Sequence, residues 1–160
     1  MTTANSTSSG PRIVVGVDGS PSSRAALRWA VNQAAIIGGT VEAVTAGQIP
    51  ENELIGGFGQ TPINVDDEKV TADAAQRALD TVISEEVKAD DRSRVRTRIY
   101  SGHAAEALVQ ASDGAEMVVV GQRGLGSFSR SLLGSVSEHL VQHANAPVLV
   151  IRGDARHLGG

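Results

Sequence analysis

The chain has 160 residues, no cysteine, and 14 basic against 18 acidic side chains, a net charge of −4. That length suits one domain with a proper core, and the missing cysteines exclude a disulfide framework, a thiolate metal site and a cysteine nucleophile, which fits a cytoplasmic protein. An acidic balance with one Trp, one Tyr and two Phe argues against nucleic-acid binding, which draws on a basic face and stacking aromatics.

Residues 1–10 are mostly Thr, Ser and Asn, with no basic residue and no apolar stretch. They are expected to form a disordered tail and not a secretory signal; residues 154–160 form a second tail, leaving 11–153 as the domain. No apolar run approaches the roughly 20 residues that cross a bilayer, so no membrane association is expected.

Arg12 to Asp18 reads as a first strand, and Ser20-Pro21 as an N-cap followed by proline at the first helical position. Leu27, Ala30, Val31, Ala34 and Ala35 share one face of that helix, Trp29 lies off the stripe at an edge, and Gly38-Gly39 stops it. Thr40 to Ala46 is a second strand. Gly47 to Asp66, with no clear period, is a long connection of the kind that often carries function.

A second helix is expected over about Asp67 to Lys88, with Ala75, Ala78, Leu79, Val82, Ile83 and Val87 on its inner face. Val95 to Tyr100 alternates Val95, Thr97 and Ile99 against Arg96, Arg98 and Tyr100, the pattern of an edge strand with one face in solvent. Ala104, Ala107, Leu108 and Ala111 make a third helix closed by Asp113-Gly114. Met117 to Val120 is four apolar residues in a row, a strand buried on both faces. A helix from Ser135 to Ala144 and a last strand, Pro147 to Ile151, complete the chain.

Strands alternating with helices imply a parallel sheet with right-handed crossovers and helices on both faces. The fold class is therefore α/β, a doubly wound, Rossmann-like sheet of five strands. If strands one and four are neighbours the order is 3-2-1-4-5, which puts the half-polar third strand at one edge and Val148–Ile151 at the other. Ligands of such sheets bind at the carboxyl ends of the strands where the order reverses. The uncharged Val-Leu-Val-Ile edge would template aggregation if bare, so a homodimer through it is expected.

Two loops are equipped for a ligand at that reversal. Val17-Asp18-Gly19-Ser20 follows strand one. After strand four comes a glycine ladder: Gly121, two residues, Gly124, nine residues, then Gly134 and Ser135, with Gly126, Arg123 and Arg130 between. Glycines let backbone amides approach an anion closely. Ser135-Val136-Ser137-Glu138 has the spacing of a capping box, and the amides left over at that helix start would complement a phosphate. Each glycine alone reads as a turn, and Asp18 alone as a turn former ahead of a helix; strand before and helix after are what favour the phosphate reading.

Other clusters read more plainly. His139 and His143 are four apart on the last helix without an evident third metal ligand, so solvent-facing histidines are expected. Asp66-Asp67-Glu68, Glu85-Glu86 and Asp90-Asp91 read as solvated faces. There is no Walker-type Gly-Lys-Ser/Thr, no nucleophile elbow and no clear base beyond Asp18.

With these residues together, the chain resembles the universal stress protein family, specifically its ATP-binding branch. The resemblance runs from about Arg12 to Arg152 and rests on the ladder, on Val14-Val15-Gly16-Val17-Asp18-Gly19-Ser20, on Gly102-His103-Ala104, and on Leu133-Gly134-Ser135-Val136 through Pro147-Val148-Leu149-Val150. It departs at His103, a position often proline in that family and outside the binding residues. It implies that Asp18 sits at the ribose and helps hold magnesium, that the backbone around Val44 meets the adenine, and that Gly121, Gly124, Gly134, Ser135 and Val136 line the ribose and phosphate cradle. The implied function is that of an ATP-binding, nucleotide-gated regulatory module of the stress response, with a regulatory protein partner that the sequence does not identify. The alternatives are a slow ATPase or adenylyl-transferring enzyme on the same fold, and an interaction protein that binds no nucleotide, for which a broken ladder would speak.

Overall fold

The computed structural model describes residues 10–47, 65–122 and 133–152. The expected tails apart from Gly10, residues 48–64 of the long connection, and Arg123, Gly124, Gly126 and Arg130 of the ladder lie outside the described residues.

Strands β1 (Arg12–Gly16), β2 (Thr40–Gly47), β3 (Val95–Ser101), β4 (Met117–Gly121) and β5 (Val148–Ile151) form one parallel sheet in the order β3-β2-β1-β4-β5. Helices α1 (Pro21–Ile37), α2 (Val65–Glu86), α3 (Ala104–Ser112) and α4 (Ser135–His143) alternate with them. This is the doubly wound, Rossmann-like architecture expected from the sequence.

The apolar runs become strands because they can be buried on both sides. Ile13, Val15 and Val119 face a core shared with Leu27, Ala30 and Ala34 of α1 and Leu79 and Val82 of α2. Val14, Val118 and Val120 face the opposite core with Ala107, Leu108 and Ala111 of α3 and Leu140 of α4. Sealing both faces of β1 and β4 makes that pair the least hydrated part of the sheet and fixes its register, since a one-residue slip would exchange the two faces.

Helix α1 begins as expected: the Ser20 hydroxyl accepts from the Ser23 amide at 3.3 Å, Pro21 takes the first helical position, and the helix ends at Gly38. The apolar stripes are drawn more narrowly than the sequence indicates, because Ala35 and Ala78 are exposed. Alanine is tolerated on either face, so its spacing alone says little. Between α2 and β3 the chain makes a 3-10 helix, Ala89–Arg94, in place of a simple turn at Asp90-Asp91.

Edge strand β3 does not divide cleanly into a dry and a wet face. Arg96, Thr97 and Arg98 are exposed, while Val95 and Ile99 pack on one core and Tyr100 on the other. The Arg98 guanidinium lies 4.7 Å from the centre of the Tyr100 ring. Charged edges of this kind resist pairing with foreign strands.

Of the pair Glu85-Glu86, Glu85 is exposed as expected and Glu86 is half-buried, and both are paired with arginines. Arg24 Nη1 donates to Glu85 Oε2 at 2.6 Å and to Glu86 Oε1 at 3.2 Å, and Arg28 donates to Glu86 as well, so the carboxylates tie the end of α2 to the first turns of α1. Burial pushes the Glu86 carboxyl up, but the hydrogen bonds from Arg28 and Arg24 outweigh it and hold the group below its ordinary value of 4.5. A depressed carboxyl stabilises the fold above its unfolded value, and that stabilisation disappears as pH falls through the folded one. Glu86→Gln is therefore expected to cost about 1 kcal/mol at neutral pH, with the gap to the parent closing on acidification below about pH 4. Urea unfolding across a pH series measures this; a gap independent of pH would show that charge is not what Glu86 contributes.

Candidate functional site

The sheet order reverses between β1 and β4, and the carboxyl ends of these two strands lie side by side. After β1 the chain makes a tight turn in which Asp18 Oδ1 accepts from the Ser20 amide at 2.9 Å and the Asp18 amide donates to Ser23 Oγ at 3.3 Å. Asp18 is exposed at the surface of the crevice, with part of its carboxylate engaged in shaping the turn.

Strand β2 is knitted to the same place. Gly16 lies opposite Val44, the Val17 amide donates to the Val44 carbonyl at 2.9 Å, and the Thr45 hydroxyl donates to the Val17 carbonyl at 2.7 Å. The Val44 side chain is buried in the core beside Leu108, so what Val44 offers the crevice is backbone.

The ladder's outer members converge on the end of β4. The Gly134 amide donates to the Gln122 carbonyl at 2.7 Å, so the chain leaving β4 returns to its starting point before entering α4. The Gln122 amide donates to the Ile151 carbonyl at 2.8 Å, anchoring that point to β5. Ser137 Oγ donates to the Gly121 carbonyl at 2.8 Å, which presses the first turn of α4 against the strand end.

Gly121 is required here for a reason beyond any ligand. A Cβ at this position would lie 2.3 Å from Ser22 Oγ and 2.7 Å from the Ser22 carbonyl carbon. The first turn of α1 thus rests directly on the end of β4. Two helix starts, at Pro21 and Ser135, abut one strand terminus, and each brings the positive end of a helix dipole to it.

The two starts differ. In α1 the Ser20 side chain caps the first turn, whereas in α4 the N-cap is Gly134, which has no side chain to offer. Ser135 is the first helical residue and not the cap, so the expected capping box does not form; the Glu138 amide bonds the Gly134 carbonyl. The amides of Ser135 and Val136 belong to the first turn, to which the N-cap Gly134 offers no side chain. An anion can complement such amides. Val136 itself packs partly into the core below, and Ser135 is exposed.

Of the residues singled out from sequence, Asp18, Gly121, Gly134, Ser135 and Val136 therefore gather at the β1/β4 reversal, with Val44 one strand away; Gly124 lies outside the described residues. Ser22, Thr45, Gln122 and Ser137, which shape the site through backbone contacts, carried no pattern of their own. The signal for the two serines was small polar residues in the first turns of helices that meet a glycine.

The metal reading of the last helix gains nothing. The His139 and His143 rings are 4.4 Å apart at a tilt of 43°, and among the described residues no group of three or more His, Cys, Asp or Glu is placed to hold a metal. No described helix is long and apolar enough to cross a membrane.

A family model described as the universal stress protein family matches residues 11–152. A universal stress protein of Mycolicibacterium smegmatis is 34% identical over 145 residues, which cover 89% of this chain and 48% of that protein. The chain spans about half the length of the curated relatives it matches. Among solved structures, UspA from Lactobacillus plantarum is similar in fold, with a TM-score of 0.63 at 23% identity over 89% of this chain and 97% of the other. A universal stress protein solved in complex with cAMP has a TM-score of 0.57 at 26% identity, over 88% of this chain and 95% of its own.

The contact between Gly121 and Ser22 is directly testable. Gly121→Ala forces the start of α1 off the strand and is expected to cost about 1–3 kcal/mol in urea unfolding. An unchanged midpoint would mean that the helix start can slide without penalty.

Proposed function

The chain belongs to the universal stress protein family, and from that membership we propose that it is an adenine-nucleotide-binding module that takes ATP with magnesium at the β1/β4 crevice. The observation that carries this reading is the loop closed by the Gly134–Gln122 hydrogen bond beside an α4 start whose N-cap is a glycine, at the reversal of the sheet. The complex of a related family member with cAMP supports adenine as the base. In this reading Gly121, Gly124, Gly134, Ser135 and Val136 line the ribose and phosphates, and the backbone around Val44 meets the adenine.

Asp18 fits magnesium as one carboxylate of a site otherwise completed by phosphate oxygens and water, the usual mode for this ion. When bound, the ion neutralises phosphate charge. Asp18 orients it, and the amides of Ser135 and Val136 hold the anion. With Asp18 given to the metal, turnover is slow at most. The regulatory role in stress, nucleotide gating through the segment that follows β2, and a regulatory protein partner belong to the same proposal, as does the cytoplasmic location.

A homodimer through β5 is proposed on the position of that strand. It ends the sheet, it is short and uncharged, and Val148, Leu149 and Val150 are only half-buried within one chain. Light scattering is expected to give a dimer mass for the parent and a monomer mass for Val150→Lys; a monomeric parent would remove the dimer.

Titration calorimetry with magnesium-ATP, AMP and cAMP tests the binding itself. Saturable binding is expected, weakened at least about 10-fold in a Gly124→Ala, Ser135→Ala double variant, where a Cβ at 124 holds the anion off the backbone and the Ser135 hydroxyl is lost. No heat, and no nucleotide released on denaturing a folded sample, would leave the interaction-protein reading. Phosphate release above a matched blank that vanishes in Asp18→Ala would make the protein an enzyme.

A further inference from the structure

The turn after β1 is restrained from a direction that its own sequence does not reveal. Gly19 sits at φ +84°, a left-handed conformation, and the peptide unit joining it to Ser20 is gripped at both ends. Its N–H donates to Asp18 Oδ1 at 2.9 Å, and its carbonyl accepts from Arg24 Nε at 3.2 Å. The guanidinium is itself fixed on its far side, where Nη1 donates to Glu85 and Glu86. One side chain thus connects the crevice turn to the last turn of α2.

We propose that Arg24 is a positioning residue for the binding site, holding the Gly19–Ser20 peptide, and through it the Asp18 carboxylate, in the orientation that ligand binding uses. The inference rests on the nucleotide reading above for its consequence, while the restraint itself does not depend on a ligand. A glycine in the left-handed region has many alternatives, and a rotated Gly19–Ser20 peptide would withdraw the amide that orients Asp18. A planar guanidinium can supply Nε to a carbonyl and Nη1 to carboxylates at once, whereas an ammonium is a single point charge without that fork. Arg28 provides the control, because it pairs with the same Glu86 without touching the turn.

The experiment combines hydrogen exchange of the ligand-free full chain with magnesium-ATP calorimetry on the parent, Arg24→Lys and Arg28→Gln. Lysine keeps the charge opposite Glu85 and Glu86 and removes the Nε bond to Gly19. Arg24→Lys is expected to exchange the Ser20 amide several-fold faster than the parent and to bind nucleotide about 10-fold more weakly, the loss of one charge-assisted hydrogen bond. Arg28→Gln is expected to match the parent in both, even where its unfolding midpoint falls. An Arg24→Lys protein with parental exchange and parental affinity would overturn the proposal, as would equal effects in both variants, which mark a general loosening of the α1–α2 contact. If the parent binds no nucleotide, the functional reading fails separately, and Ser20 exchange alone decides: faster in Arg24→Lys only, the restraint stands; unchanged, it falls.

Discussion

The pairing of β1 with β4 is the constraint on which the rest of the molecule depends. Ile13, Val14 and Val15 lie opposite Met117, Val118 and Val119, and the Glu116 amide bonds the Arg12 carbonyl at 2.8 Å. These strands are far apart in the chain, and the two strands between them in sequence, β2 and β3, lie on the β1 side of the pair. The pair is dry on both faces, so the ladder hydrogen bonds compete with no water and the apolar side chains contribute their full burial. From this one adjacency follow the order of the sheet, the meeting of two loops at the reversal, and the contact of α1 with the end of β4.

What the adjacency produces is an asymmetric pair of helix starts around one strand terminus. Helix α1 spends its cap on itself, through Ser20, and is locked against Gly121 by Ser22. Helix α4 starts from a glycine whose amide donates to the Gln122 carbonyl and which has no side chain to offer the first turn. The two starts lie side by side at the end of β4. The turn bearing Asp18 completes the opposite wall, braced through Arg24 by the acidic end of α2. Packing and site therefore share residues: Gly121 serves the helix contact irrespective of any ligand, and Glu86 steadies both the fold and the arginine behind the turn.

Much of this was legible in the residues, and the parts that were not have a common cause. The runs Ile13 to Val15 and Val118 to Val120 have no polar side, so only strands covered by helices on both faces could accept them. Ser20-Pro21 and Gly38 marked the ends of α1 because capping is a matter of a few neighbouring atoms, and the arginines of β3 marked an edge. Ala35 and Ala78 were misread as inward because a methyl group costs little in either place. The serine-to-glutamate spacing at 135–138 suggested a capping box, yet Gly134 is the cap, its amide bonded to the distant Gln122 carbonyl, a contact that local spacing does not reveal.

By itself, then, the sequence determined the class of fold and the start and end of α1, because each follows from local chemistry or from the need to bury long apolar runs, and it tied the strand order to one condition, that β1 and β4 are neighbours. Only the tertiary structure decided that β1 and β4 are neighbours. It alone also decided that Glu85 and Glu86 grip Arg24 and Arg28, that Ser22 lies against Gly121, and that Gly134 and not Ser135 is the N-cap of α4. Those contacts join residues distant along the chain through charges and small side chains that have no periodicity, and their geometry exists only once the helices have packed on the sheet.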